Sequence, residues 1–281
     1  MKISVVLLHI LMFTACNSGP LKTLANLPKT LEEVSGTEKT SKSKLIWMLN
    51  DSGNKPVLYG LNKKGNIKQT VKVKAKNNDW EDLTTDQDGN LYIGDFGNNH
   101  NNRKNLAILK IKASDLNQKK ANNIEYIHFS YEDQNKFPPK ANEMYFDCEA
   151  FFYLKNNLYL FTKSRVHNKH GKTTVYKLPA KGGRYIAKRI GSFFTGEGLE
   201  NWTTAIDISD DETKIALLTP KAAWVFSNFK ADYFFNAPYK IYEFNNSSQK
   251  EGICFKNNNT LYITDEKSHG NGGNLYELKI D

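Results

Sequence analysis

Five residues recur at one position of a repeated pattern: Ser35, Glu81, Glu149, Thr204 and Glu251. Each opens a short β-like run, and nine to eleven positions later an apolar strand begins at Leu45, Leu91, Leu158, Ile215 or Leu261. Three carboxylates and two hydroxyls at equivalent positions make an all-oxygen set, without thiolate or imidazole. If they converge, their charges conflict: two unit charges ~4 Å apart interact by roughly 4 kcal/mol at an effective dielectric near 20. Converging carboxylates therefore protonate, splay apart or hold a cation. An oxygen set of flexible geometry suits Ca²⁺ better than Mg²⁺. The competing reading is a ring of structural glutamates bonded to strand-start amides.

The elements that position these residues follow from the repeat. The openers stand 46, 68, 55 and 47 residues apart, so the second unit carries an insertion. A period near 50 with several short strands per unit predicts a propeller. Strand-like runs separated by Gly/Asn/Asp turns fill the chain, with no apolar stripe of helical period and length. Four units supply four strands and the last supplies three. The expected architecture is an all-β, five-bladed β-propeller of four-stranded antiparallel blades, occupying residues 30–281. Its last blade would be completed by the N-terminal segment 28–34, which leaves only short sheet edges. A six-bladed alternative needs another blade within 112–148, where prolines and polar residues read instead as a long loop.

Antiparallel pairing puts the openers, the ends of the second strands and the following loops on one face. Asp51, Asp95, Asn98, Arg165, His167, Asp265 and His269 are the ligand-binding candidates there. His100, His167 and His269 hold similar loop positions, and exposed loop histidines are common. Trp80 and Trp202 precede channel openers and are read as interblade packing rather than as a stacking platform. No phosphate-cradling glycine loop or nucleophile elbow is present.

Residues 1–15 are a lysine and an apolar run too short to span a bilayer, ending in Ala15 just before Cys16. They read as a secretory signal and resemble the lipobox of bacterial lipoproteins, which implies lipidation of Cys16. Residues 16–29 would then be the lipidated cysteine and a tether, and the protein an exported, membrane-anchored component of the cell envelope. The formal charge is +9, but the lysines are scattered among asparagines, so no nucleic-acid partner is expected. Cys148 and Cys254 read as buried thiols, and a monomer is expected.

On the five openers and on KEGICF at 250–255, the sequence resembles the calcium-activated nucleotidases of the apyrase family. These are five-bladed propellers whose channel calcium is bound by one Ser or Glu from each blade, in the order Ser, Glu, Glu, Ser, Glu. The resemblance implies Ca²⁺ held by Ser35, Glu81, Glu149, Thr204 and Glu251. It also implies Asp51, Glu149 and Arg165 as catalytic residues, the carboxylates orienting a water and Arg165 offsetting developing charge. The matching loop of the fourth unit, PKAAWVF, offers one lysine and no charge cluster. Three readings stand: a binding module taking a small-molecule or protein ligand at one rim, a calcium-dependent hydrolase of nucleoside di- and triphosphates, and a purely structural ring. Fold alone does not choose among them; the binding module is preferred. Arg165→Ala is expected to leave stability unchanged and to remove activity only in the hydrolase.

Overall fold

The computed structural model describes residues 20–246, 248–268 and 270–281. The expected signal segment, Cys16 and His269 lie outside the described residues. Among the described residues no helix is long and apolar enough to cross a membrane. Among the described residues helix is limited to short 3-10 turns, and the remaining regular structure is strand.

The strands form antiparallel sheets in chain order. Val34–Glu38, Ile46–Asn50, Val57–Leu61 and Ile67–Val73 make the first, with Lys120–Ala121 added in parallel outside it. The next two groups, Trp80 to Tyr131 and Asp147 to Phe194, are joined into one eight-stranded sheet. The joint is a parallel pairing of their outer strands, Glu125–Tyr131 with Gly183–Phe194. Ala205–Ile208, Lys214–Leu218, Ala222–Ser227 and Tyr239–Glu243 form another sheet; Lys250–Asn257, Thr260–Asp265, Asn274–Lys279 and Leu21–Asn26 form the last. The inner strands Val34–Glu38, Trp80–Thr85, Asp147–Leu154, Ala205–Ile208 and Lys250–Asn257 each touch the next, and the last touches the first. The result is a closed, propeller-like ring.

Strand periodicity explains why the middle strands are apolar almost throughout. Successive side chains point to opposite faces, and here both faces are buried against neighbouring sheets. Along Asn157–Lys163, Leu158 and Leu160 enter the core shared with the preceding group, whereas Tyr159 and Phe161 enter the core shared with the following one. Trp80, fully buried, packs into the cluster between the first two groups and does not face the channel. Polar stitches cross the seams near the axis: the Phe151 N–H donates to Asp82 Oδ2 at 3.3 Å, the Phe255 N–H to Asp207 Oδ2 at 2.7 Å, and the Thr37 and Thr264 hydroxyls share a bond of 2.8 Å. Gly36 permits closest approach, since a Cβ there would stand 3.0 Å from the Asp82 backbone.

One expectation is corrected. The strand that completes the last sheet is Leu21–Asn26, paired antiparallel with Asn274–Lys279 from Leu21↔Leu278, and not 28–34. The latter segment begins at Pro28, passes through the 3-10 turn Lys29–Leu31 and delivers Val34 to the first inner strand. Proline lacks a ladder donor, whereas Leu21 inserts into a core cluster. The sheet therefore takes up part of the segment read as tether. Cys148 and Cys254 are free and buried, as expected.

Candidate functional site

At four of the five openers the β-ladder skips. The register shifts between Val34 and Gly36, Trp80 and Leu83, Cys148 and Ala150, and Lys250 and Gly252. Bulges leave residues unpaired and re-aim their side chains, here Ser35, Glu81, Glu149 and Glu251. Thr204 lies just ahead of its strand, its N–H donating to Leu218 O at 3.1 Å. All five line one cavity of about 740 Å³, together with Asp51 and Arg165.

The other described rim candidates do not line it. Asp95 is buried, accepting from Asn78 Nδ2 at 2.6 Å, Asp79 N at 3.1 Å and Arg103 Nη2 at 2.9 Å. Asn98 binds Asp147 Oδ1 through its N–H at 2.6 Å and Phe146 O through its amide at 3.1 Å. Asp265 accepts from Asn274 N at 2.8 Å and Tyr276 OH at 2.7 Å. These three brace loops. His167 is exposed, its ring 6.4 Å from that of His170.

Several site residues were not among the candidates chosen from sequence. Lys163, at the end of its strand, places Nζ 3.2 Å from Glu149 Oε1. Arg165 spans Asp147 Oδ2 at 2.6 Å and Glu149 Oε1 at 3.4 Å, and also donates to Asn99 Oδ1. Trp202, read as packing, lines the cavity: its indole N–H donates to Ser164 O at 2.7 Å, and Lys163 and Arg165 stand 4.8 and 5.0 Å from its ring centre. Glu266 also lines the cavity. Its signal was available, because it follows its second strand just as Asp51 follows Asn50. Asp79 gathers with Asp51 and Glu81: the three carboxylates each offer an oxygen within 4.8 Å of the others, a group able to hold a metal ion.

The electrostatics divide the site. Burial, then the carboxylates of Glu149, Asp51, Asp79 and Asp147, push Glu81 well above its usual range. Burial first, and then Asp79, raises Asp51 to about 6; burial also raises Asp79. Burial followed by Glu251 and Asp51 lifts Glu266 to about 8. Glu149 is raised by burial but opposed by Lys163 and Arg165. Burial alone would pull the Lys163 ammonium down, yet Glu149 and Glu251 hold it above its ordinary value. Ser35 Oγ donates to Trp80 O at 3.1 Å, whereas the buried Thr204 hydroxyl has no hydrogen-bond partner among the described residues. The oxygen donors fit a hard cation, though Glu149 already has two protein cations against it.

No sequence-family model matches the chain, and no curated protein matches it. Among solved structures, the PQQ-bound aldose sugar dehydrogenase of Streptomyces coelicolor is similar with a TM-score of 0.55, covering 93% of this chain and 98% of that one at 8% identity. A gluconolactonase from Xanthomonas campestris gives 0.49 at 11% identity, covering 93% and 89%. A virginiamycin B lyase from Staphylococcus aureus gives 0.41 at 15% identity, covering 91% and 69%. At these identities the likeness speaks for the fold alone: this chain is a β-propeller-like protein.

Proposed function

We propose that this protein is an exported, five-bladed propeller, lipid-anchored through Cys16, that binds an anionic ligand at its channel mouth with the help of a divalent cation, Ca²⁺. The five-blade count is supported by five inner strands in cyclic contact and five interblade core clusters. One observation carries the functional reading. A single cavity brings a group of under-compensated carboxylates to within reach of Lys163, Arg165 and the Trp202 ring. Carboxylates attract the cation, the basic pair attracts an anion, and the indole offers a flat apolar wall. Phe244 and Asn246 also line the cavity.

A second reading, calcium-dependent hydrolysis of nucleoside di- and triphosphates, is favoured by Asp51. Its carboxyl, raised to about 6, is suited to accept a proton from water near neutral pH. Glu149 and Arg165 lie in the same cavity.

The test is a thermal melt of residues 17–281 with chelator, Ca²⁺ or Mg²⁺, with phosphate release from nucleoside diphosphates assayed in parallel. A ligand of the native state at 100 times its Kd adds about 2.7 kcal/mol. A calcium-specific rise in Tm without phosphate release supports the binding protein, and release promotes the hydrolase. No shift with either metal rejects both. Mass spectrometry of wild type and Cys16→Ser from membranes tests the anchor.

A further inference from the structure

We propose that the cation sits off the channel axis, in the seam between the first two inner strands, held by Asp51, Asp79 and Glu81, while Lys163 serves the rest of the ring as a built-in cation. This rests on the reading that the mouth cavity takes a cation, and it differs from the five-residue axial set that the sequence pattern predicts.

The ring glutamates are not equivalent. Glu149 has Lys163 Nζ at 3.2 Å and Arg165 Nη2 at 3.4 Å, and the field of Lys163 also reaches Glu251. A divalent ion on the axis would meet this ammonium as a like charge. Glu81, on the neighbouring inner strand, instead gathers with Asp51 and Asp79, each offering an oxygen within 4.8 Å of the others.

Two further observations point to a ligand. Glu81 is 8% exposed and faces the cavity, and no protein group among the described residues gives its carboxylate a hydrogen bond or ion pair. The Thr204 hydroxyl, 3% exposed just ahead of a non-adjacent inner strand, lines the same cavity and is also unpartnered among the described residues. An unsatisfied buried polar group is costly, so the Thr204 hydroxyl marks the cavity as completed by something polar.

The surroundings hold the three carboxylates in place. Asp95 accepts from the Asp79 N–H at 3.1 Å and from Arg103 Nη2 at 2.9 Å; Arg103 Nη1 binds Gly97 O at 2.6 Å and forms a long ion pair with Asp79 Oδ2 at 4.0 Å. Gly97 itself leaves the space, since a Cβ there would collide with Glu81 Oε1 and stand 2.7 Å from the Asp79 carboxyl carbon. Three carboxylates supply part of the six to eight oxygens Ca²⁺ takes, leaving positions for water or a ligand oxygen.

The experiment is calorimetric titration of residues 17–281 with Ca²⁺ for wild type, Asp79→Asn, Asp51→Asn and Glu251→Gln, with circular dichroism to establish that each variant is folded. We expect Asp79→Asn and Asp51→Asn to weaken Ca²⁺ at least about tenfold, within the range for metal-site substitutions, and Glu251→Gln to change it less than about threefold. Loss on Glu251→Gln with normal binding by both aspartate variants would overturn the off-axis seat while leaving a calcium-binding propeller. Equal loss in all three would also overturn it, in favour of one shared site. Absence of binding by wild type would reject the cation and the proposed function together.

Discussion

The Lys163 ammonium and the Glu149 carboxylate meet 3.2 Å apart at the mouth of the channel, 9% and 5% exposed. A buried pair of this kind is costly to break, because the survivor keeps its charge without its partner. Lys163→Met should therefore lower stability by about 3 kcal/mol, read from urea unfolding at neutral pH. The loss should shrink as pH falls, because Glu149, raised by burial, takes up a proton and no longer leaves an unpaired charge. A loss independent of pH would mean that the lysine acts through packing on Trp202.

Arg165 was expected to be separable from stability, and its contacts correct that. Its Nε lies 2.6 Å from Asp147, whose side chain is wholly buried. Arg165→Ala should cost about 3 kcal/mol as well as weakening the ligand. Arg165→Ala combined with Asp147→Asn should recover part of the stability but not the binding. A stable single variant would return Arg165 to a purely functional role.

Asp207 should make the fold less stable as pH rises. Burial, opposed by the Phe255 N–H, raises its carboxyl to about 7, whereas in the unfolded chain it ionises near pH 4. Folding thus retains a proton between these values. The stabilisation is fully present below about pH 4 and lost as pH rises through about 7, with a slope of up to about 1.4 kcal/mol per pH unit. Asp207→Asn should flatten this dependence between pH 5 and 7 in urea titrations; an unchanged slope would assign it to other channel acids such as Glu38, which burial and Asp207 also raise.

Leu21 tests ring closure. It is 2% exposed and pairs with Leu278. Leu21→Ala should cost about 2–5 kcal/mol, and hydrogen exchange should quicken first along Asn274–Lys279. Leu27→Ala, at a half-buried site beyond the strand, should cost less. Equal effects would argue against a closing role for Leu21–Asn26.

Much of the site was legible because propeller strands repeat their geometry. The openers carry similar offsets, so the five residues that share a cavity could be named from spacing. Asp51 followed from the same alignment of strand ends, and Arg165 from the resemblance to the calcium-activated nucleotidases. Asp95, Asn98 and Asp265 hold comparable rim positions, but whether such a side chain faces the cavity or braces a loop depends on contacts with residues such as Arg103 and Tyr276. Spacing does not encode those contacts.

The sequence alone determined the all-β repeat, the polar positions at the inner strand starts and the burial of both cysteines, because these depend on local periodicity and residue type. Tertiary structure decided which charges are neighbours. It brought Asp79 to Asp51 and Glu81, set Lys163 against Glu149, turned Trp80 into the core and Trp202 toward the cavity, and chose Leu21–Asn26 as the closing strand. Each depends on bulges, loop paths and packing between sheets, where segments far apart in the chain meet and where a one-residue change of register reverses the face a side chain presents.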